Sequence, residues 1–366
     1  MFFFLPKTSR SKLTERPGGS TAGQKDRERP HRRKLWALTI LSLTIALGVP
    51  LSIKFYNSYL YHVEKQTRYM MDTYVTIYAI GIERITSPAV RIAFEKMQAI
   101  DAKFNKINPE SSLYAFNHRG IPIEDPQVVE VARAALEVAR LTDGAFDITV
   151  EPLVDLWGFY GDSPRVPSES EIKAVQNKTG YRYLSIENGR LIKSNPDIRI
   201  DLGGIAKGYA VRQAAIALRE NGVDSALINA GGDIYALGKK VDDLWKVGIR
   251  SPRGEDILGY LEVQDLAVMG SGDYERFFME GGKRYHHILD PKTGYPKEGV
   301  QGTTLIHPDP MIADAWNTAI FVLGPEKGLA LVEKIPGMEA MMVTASGKTR
   351  YSSGLKNALR MSSMAK

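Results

Sequence analysis

Asp201-Leu202-Gly203-Gly204-Ile205-Ala206-Lys207-Gly208-Tyr209-Ala210 reads as the end of a strand, a glycine-rich turn and the opening of a helix. Ile198, Ile200 and Leu202 alternate as strand residues do, and the helix is expected to open at about Lys207. Paired glycines remove the Cβ atoms that would keep a ligand off the main chain. A helix N-terminus just beyond them offers free N–H groups and partial positive charge, which suits a phosphate. Asp201 and Lys207 add one charge of each sign. The plainer alternative is a tight strand-to-helix connection that binds nothing.

Further segments of the same kind weigh against that alternative. Asn229-Ala230-Gly231-Gly232-Asp233 repeats the glycine pair behind the short strand Ala226 to Ile228. Ser271-Gly272-Asp273-Tyr274-Glu275-Arg276, His287-Ile288-Leu289-Asp290-Pro291-Lys292-Thr293-Gly294 and Ala313-Asp314-Ala315-Trp316-Asn317-Thr318-Ala319 follow. Glycine, aspartate, histidine and threonine recurring at the ends of elements point to a site assembled from several loops.

Composition excludes several classes. The 366 residues carry a formal charge of +6, but residues 1–34 alone hold ten Lys/Arg and three Asp/Glu. That tail accounts for +7 of the total, leaving −1 for the rest, so no nucleic-acid-binding domain is indicated. The absence of cysteine removes disulfides, thiolate metal sites, cysteine nucleophiles and a lipid-modified N-terminal cysteine.

Residues 1–34 lack apolar periodicity and read as a basic, disordered cytoplasmic tail. Leu35 to Ile53 then run for nineteen positions without a charge. At helical rise that is roughly 28 Å, close to the hydrocarbon thickness of a bilayer. The basic excess before it places the tail inside and the remainder outside. Residues 35–53 are therefore expected to be a single membrane anchor or, alternatively, a cleaved export signal. The expected location is the bacterial inner membrane, single-pass, with the folded part on the periplasmic side; the alternative is export.

Beyond the anchor, Met70 to Ile80 reads as a strand, with Met71-Asp72-Thr73 at its start. Ser87-Pro88 is expected to start a helix whose apolar stripe is Val90, Ala93, Phe94, Met97 and Ile100. Asp125-Pro126 starts another, which stops at Thr142-Asp143-Gly144, just before Ala145-Phe146-Asp147. Ser168 with Glu171 matches a capping box, and Asn188-Gly189 a hairpin turn. Gly281-Gly282 reads as a second hairpin turn leading to His286 and His287, of which only one can point into a site. Strand pairs and helices without regular βαβ spacing argue for α+β with largely antiparallel sheets. Asp314 and Thr318, four apart on a helix, offer a carboxylate and a hydroxyl on one face, a hard oxygen pair suited to Mg²⁺.

Taken together, residues 69–356 resemble the ApbE family, the flavin transferases that move FMN from FAD onto a protein threonine. The likeness rests on five motifs in the family's order: Gly144–Thr149, Asp201–Ala210, Asn229–Ile234, Ser271–Arg276 with His287–Gly294, and Ala313–Ala319. It implies an ApbE-like, T-fold-like arrangement of layered antiparallel sheets and helices, with the active site between two lobes. It implies that Met71, Ala145, Phe146 and Asp147 line the FAD site, that Asp201 and Lys207 contact FAD, and that Ile288 borders the pyrophosphate. Gly204 would offer its carbonyl to Mg²⁺, Asp314 and Thr318 their side chains, with Asn317 at the edge of the metal site. His287 is the implied base, acting with Asp314 as the catalytic pair. The chain departs from the family at Met269-Gly270, where Ala-Thr is usual, and at Trp316-Asn317, where smaller or acidic residues are frequent.

The implied reaction is Mg²⁺-dependent transfer of FMN from FAD to a threonine hydroxyl, releasing AMP. The acceptor would be a flavoprotein carrying a short Asp/Ser-Gly-Ala-Thr-like segment. Two alternatives stand beside it: an FAD pyrophosphatase giving FMN and AMP, and a non-enzymatic, membrane-tethered FAD-binding protein.

Overall fold

The computed structural model describes residues 62–361 other than 162 and 255, together with Trp36, Thr39, Ser42, Leu43 and residues 46–49, all eight helical. The expected tail and most of the expected anchor lie outside the described residues. Among the described residues no helix is long and apolar enough to cross a membrane.

The described residues from His62 onward open with a hairpin, of which the sequence shows only one strand. β1 (His62–Met70) pairs with β2 (Thr73–Gly81), joined at Met71 and Asp72. Both turn residues have positive φ, 53° and 58°, as a two-residue hairpin turn of this twist demands. β1 was hidden because its residues alternate charge with polar groups and bury little except Met70. β2 was legible because Val75, Ile77 and Ala79 are fully buried on one face.

Next come α1 (Glu83–Lys103), α2 (Ser112–Arg119), α3 (Pro126–Leu141), α4 (Glu151–Trp157) and α5 (Glu169–Gln176). α1 corrects the expected start at Ser87: it opens four residues earlier and carries Pro88 inside. The apolar stripe from Ala89 to Ile100 is buried, and each such side chain contributes about 1.5–3 kcal/mol, enough to offset an interior proline. Asp125 caps α3 through the N–H groups of Gln127 and Val128, and Ser168 with Glu171 forms the anticipated capping box on α5. A hairpin of β3 (Leu184–Glu187) and β4 (Arg190–Lys193) turns at Asn188-Gly189, as its sequence requires.

Ile198 to Leu202 is not a strand. Its three apolar residues are buried, yet no strand among the described residues pairs with it. The Asn117 side chain takes a neighbouring strand's place, accepting from the Ile200 N–H at 2.8 Å and donating to the Ile200 carbonyl at 2.9 Å. The Asp201 N–H donates to the Ile148 carbonyl at 2.7 Å. Every buried backbone group needs a partner, and a side-chain amide supplies both of them here.

α6 (Ala206–Glu220) follows, then β5 (Ala226–Ala230), β6 (Asp233–Leu237), β7 (Trp245–Arg250), β8 (Ile257–Val263), β9 (Leu266–Gly272), β10 (Phe277–Glu280) and β11 (Lys283–His286). β12 (Val300–His307), α7 (Pro310–Leu323), α8 (Pro325–Val332), β13 (Glu339–Thr344), β14 (Thr349–Tyr351), α9 (Ser353–Ala358) and β15 (Arg360–Met361) complete the described elements. One eight-stranded sheet, in the order β1-β2-β5-β6-β9-β12-β13-β14, is antiparallel at every pairing.

α1, α6 and α7 cover one face of this sheet in the largest apolar core. A second core joins the other face to the small sheet β15-β8-β7 through Ile80, Ala236, Trp245, Val247, Leu261 and Ile306. The α+β class with layered antiparallel sheets therefore stands. The described residues from His62 onward belong to one compact unit.

Candidate active site

The site forms where α6 crosses α7. Gly208 permits that crossing, because a Cβ there would lie 2.7 Å from the Asp314 Cβ and 2.9 Å from the Met311 Cα. Close approach lets the Gly208 N–H donate to Asp314 Oδ2 at 2.8 Å. The glycine turn before α6 is held by Asp201, whose Oδ1 accepts from the Gly203 N–H at 2.7 Å. Its other oxygen lies 3.0 Å from Lys106 Nζ. Gly204 then sits against α7: a Cβ there would be 3.1 Å from the Phe146 ring and 3.4 Å from Thr318 Oγ1. Gly204, Thr318 and Asp314 thus come together from two segments more than a hundred residues apart.

Charge is concentrated here. Lys207 pairs with Asp233, which follows the second glycine pair, and Asp233 Oδ1 accepts from the Gly270 N–H at 3.0 Å. Burial opposes the Lys207 charge, but the Asp233 and Asp314 carboxylates hold its ammonium well above the usual lysine value. Asp314 moves the other way. Burial first, and then the Asp233 charge, push its carboxyl up to about 7, against the pull of Lys207 and the Gly208 N–H. Glu275 is likewise raised by burial, with Lys207 opposing. Two carboxylates share one cation, so a second cation would be welcome.

Mg²⁺ fits these donors. Asp314 Oδ1 and Thr318 Oγ1 accept no hydrogen bond among the described residues, and Gly204 leaves open the space that a side chain would fill. A carboxylate, a hydroxyl and a main-chain carbonyl are hard oxygen donors. Among the described residues no three His, Cys, Asp or Glu side chains gather as a metal cage, so a substrate oxygen or water would have to complete the coordination. Asn317 serves differently. Its amide oxygen accepts from Thr303 Oγ1 and its nitrogen donates to Ser271 Oγ, both at 2.8 Å, and it is 1% exposed. Both ends of the amide are therefore occupied, and the residue ties α7 to β9 and β12.

The two histidines divide as their adjacency requires. His286 Nε2 lies 2.8 Å from the Lys297 carbonyl while its Nδ1 accepts from the Ile288 N–H, and its ring packs edge-on against Phe321. That is a structural histidine. His287, just past β11, donates its N–H to the Arg276 carbonyl, and its ring makes only a long 3.4 Å contact with the same oxygen. Burial, the adjacent His286 and the Lys207 and Arg276 cations push its imidazole down to about 3, so it is neutral at pH 7.

The other expected residues are placed as follows. Ala145 and Phe146 are buried beside the glycine turn. Asp147 Oδ1 accepts from the Thr149 N–H and hydroxyl and Oδ2 from the Tyr181 N–H, so its carboxylate is bound within the fold. Ile288 is buried, with its N–H turned toward His286. Met71 is half-buried at the β1–β2 turn, its N–H held by Asp101 at 3.0 Å. Lys106 was not foreseen, since it stands in a polar loop without periodicity. Asp233 was visible only as the residue after a glycine pair.

Residues 71–342 match the ApbE family. The chain is 33% identical over 294 residues to a Vibrio cholerae protein named FAD:protein FMN transferase, covering 75% of this chain and 87% of that one. It is 32% identical over 266 residues to the Escherichia coli K12 protein of the same name, covering 69% and 75%. Among solved structures it is similar to the ApbE protein of Thermotoga maritima, with a TM-score of 0.77 and 35% identity over 82% of this chain and all of that one.

Proposed function

This chain belongs to the ApbE family, and on that premise we propose that it transfers FMN from FAD to a threonine hydroxyl of an acceptor flavoprotein, releasing AMP. The observation that carries the reading is the meeting of Gly204, Thr318 and Asp314 beside the Lys207–Asp233 pair. It joins a nucleotide-type glycine turn to a hard-oxygen cation site.

The threonine oxygen bonds to the FMN-side phosphorus, the bridging P–O bond breaks, and its electron pair leaves with AMP. Mg²⁺, held by Asp314, Thr318 and the Gly204 carbonyl, would neutralise charge on the pyrophosphate oxygens. His287 takes the hydroxyl proton, being neutral and otherwise little engaged. Burial and the adjacent His286 depress the His287 imidazole most, and a bound pyrophosphate would offset the further depression by the Lys207 and Arg276 cations. Lys207 orients the anion, and Asp233 fixes the direction of Lys207. Water in place of threonine would make the same site a pyrophosphatase. The relatives' shared name, which specifies transfer to protein, favours a protein acceptor over water. The basic tail and the uncharged stretch after it support a single-pass protein with this domain on the periplasmic side.

The test is to incubate the full chain with FAD, Mg²⁺ and an acceptor domain bearing the threonine, following acceptor mass and AMP together. An FMN adduct that disappears with a chelator is expected. AMP without adduct on two different acceptors would establish hydrolysis, and FAD bound without either product would leave a carrier.

A further inference from the structure

Three loops distant in sequence meet at Tyr160. Arg276 Cζ lies 4.5 Å from the centre of its ring and Lys106 Nζ lies 5.8 Å away. Each cation is anchored beyond the ring. Arg276 reaches Asp72 Oδ2 at 3.5 Å, in the turn that carries Met71. Lys106 reaches Asp201 Oδ2 at 3.0 Å, in the glycine turn that carries Gly204. The contacts therefore run Asp72–Arg276–Tyr160–Lys106–Asp201, from the β1–β2 turn to the glycine turn before α6. The Arg276 carbonyl also accepts from the His287 N–H, so the proposed base is tied to the residue that lies over the Tyr160 ring.

The root of Tyr160 is rigid and its side chain is not covered. Trp157 stacks on Phe159 with ring centres 5.7 Å apart, and its indole N–H donates to the Gly294 carbonyl at 2.8 Å. Tyr160 itself keeps 49% of its surface in solvent. Nothing in the proposed chemistry uses this ring. Cation–π contacts at an exposed position are weak enough to open.

We propose that Tyr160 is a substrate-retaining residue whose ring, tethered to Lys106 and Arg276, closes the mouth of the site behind the bound dinucleotide. The inference rests on the FAD reading above. Entry of FAD displaces the ring, and the two cations, which also attract the pyrophosphate, draw it back. The ring makes these contacts and the hydroxyl does not, so phenylalanine should serve where alanine fails.

The experiment measures FAD dissociation from the full chain in Mg²⁺ by flavin fluorescence after a chase, for wild type, Tyr160→Ala and Tyr160→Phe, with the thermal midpoint of each. Tyr160→Ala should release FAD about tenfold faster at an unchanged midpoint, and Tyr160→Phe should stay within about twofold of wild type. Equal release rates for alanine and wild type would overturn the proposal, as would phenylalanine behaving like alanine. Faster release accompanied by a fallen midpoint would make Tyr160 a structural brace and overturn it too. A wild-type chain that binds no FAD would instead remove the functional reading, and this inference with it.

Discussion

Lys207 and Asp233 form an ion pair between two glycine-rich turns 26 positions apart, with the Asp233 side chain almost fully buried. Neither turn owns the charge balance alone, because Asp314 from α7 also faces Lys207. Lys207→Met leaves two buried carboxylates opposed without a cation, whereas Lys207→Met with Asp233→Asn removes half of that conflict. Urea unfolding of the two single variants and the double variant should give a coupling energy of roughly 1–3 kcal/mol. A coupling within error of zero would mean that the pair is formed but energetically idle.

His287 is expected to matter for rate rather than for binding. His287→Ala should lower transfer by roughly two to four orders of magnitude. His286→Ala should act instead on stability, because it leaves the Lys297 carbonyl and the Ile288 N–H without their partner. Single-turnover transfer rates beside thermal midpoints separate the two roles. A midpoint loss in His287→Ala with an unchanged rate would reverse the assignment.

Legibility from sequence followed the range of the forces involved. Asp125-Pro126, the Ser168 capping box and the Asn188-Gly189 turn are each set within about four residues, and the structure has them where the sequence places them. The family motifs brought Gly204, Asp314 and Thr318 into view, and they do meet. Partners supplied across the fold were not visible. Asn117 pairs with Ile200 from 83 positions away, and Lys106 finds Asp201 across a similar gap. The family likeness sets Asn317 at the edge of the metal site, between Asp314 and Thr318. Only β9 and β12 reveal that Ser271 and Thr303 occupy its amide. Polar side chains choose partners in space, and no periodicity announces them.

Gly204 and Gly208 are four residues apart and should fail differently. A methyl on Gly208 strikes the backbone at Met311 and the Cβ of Asp314, which cannot give way without parting the helices. Gly208→Ala should cost about 1–3 kcal/mol or more and lower the thermal midpoint. At Gly204 the methyl meets the Phe146 ring edge and the Thr318 hydroxyl, contacts tight by only a few tenths of an ångström. Gly204→Ala should therefore fold almost normally and lose transfer, because the methyl fills the space beside the donors. Equal midpoint losses in both variants would place Gly204 in packing alone.

Asp314 gives the site a pH signature that Mg²⁺ should erase. Its carboxyl titrates near 7 in the folded chain, against an ordinary value near 4, because burial and Asp233 oppose its charge. Between those values the native state binds more protons at this group than the unfolded state does, so its contribution to stability falls as pH rises. The contribution is whole below about pH 4 and is lost by the time pH has passed 7. Without divalent cations, Asp314→Asn should flatten the decline in stability that wild type shows across this window. A bound Mg²⁺ favours the carboxylate, so the stabilisation it gives should be larger at pH 8 than at pH 5, and absent in Asp314→Asn. Thermal midpoints at the two pH values, with and without Mg²⁺, decide the matter. Equal stabilisation of wild type and Asp314→Asn would move the cation away from α7.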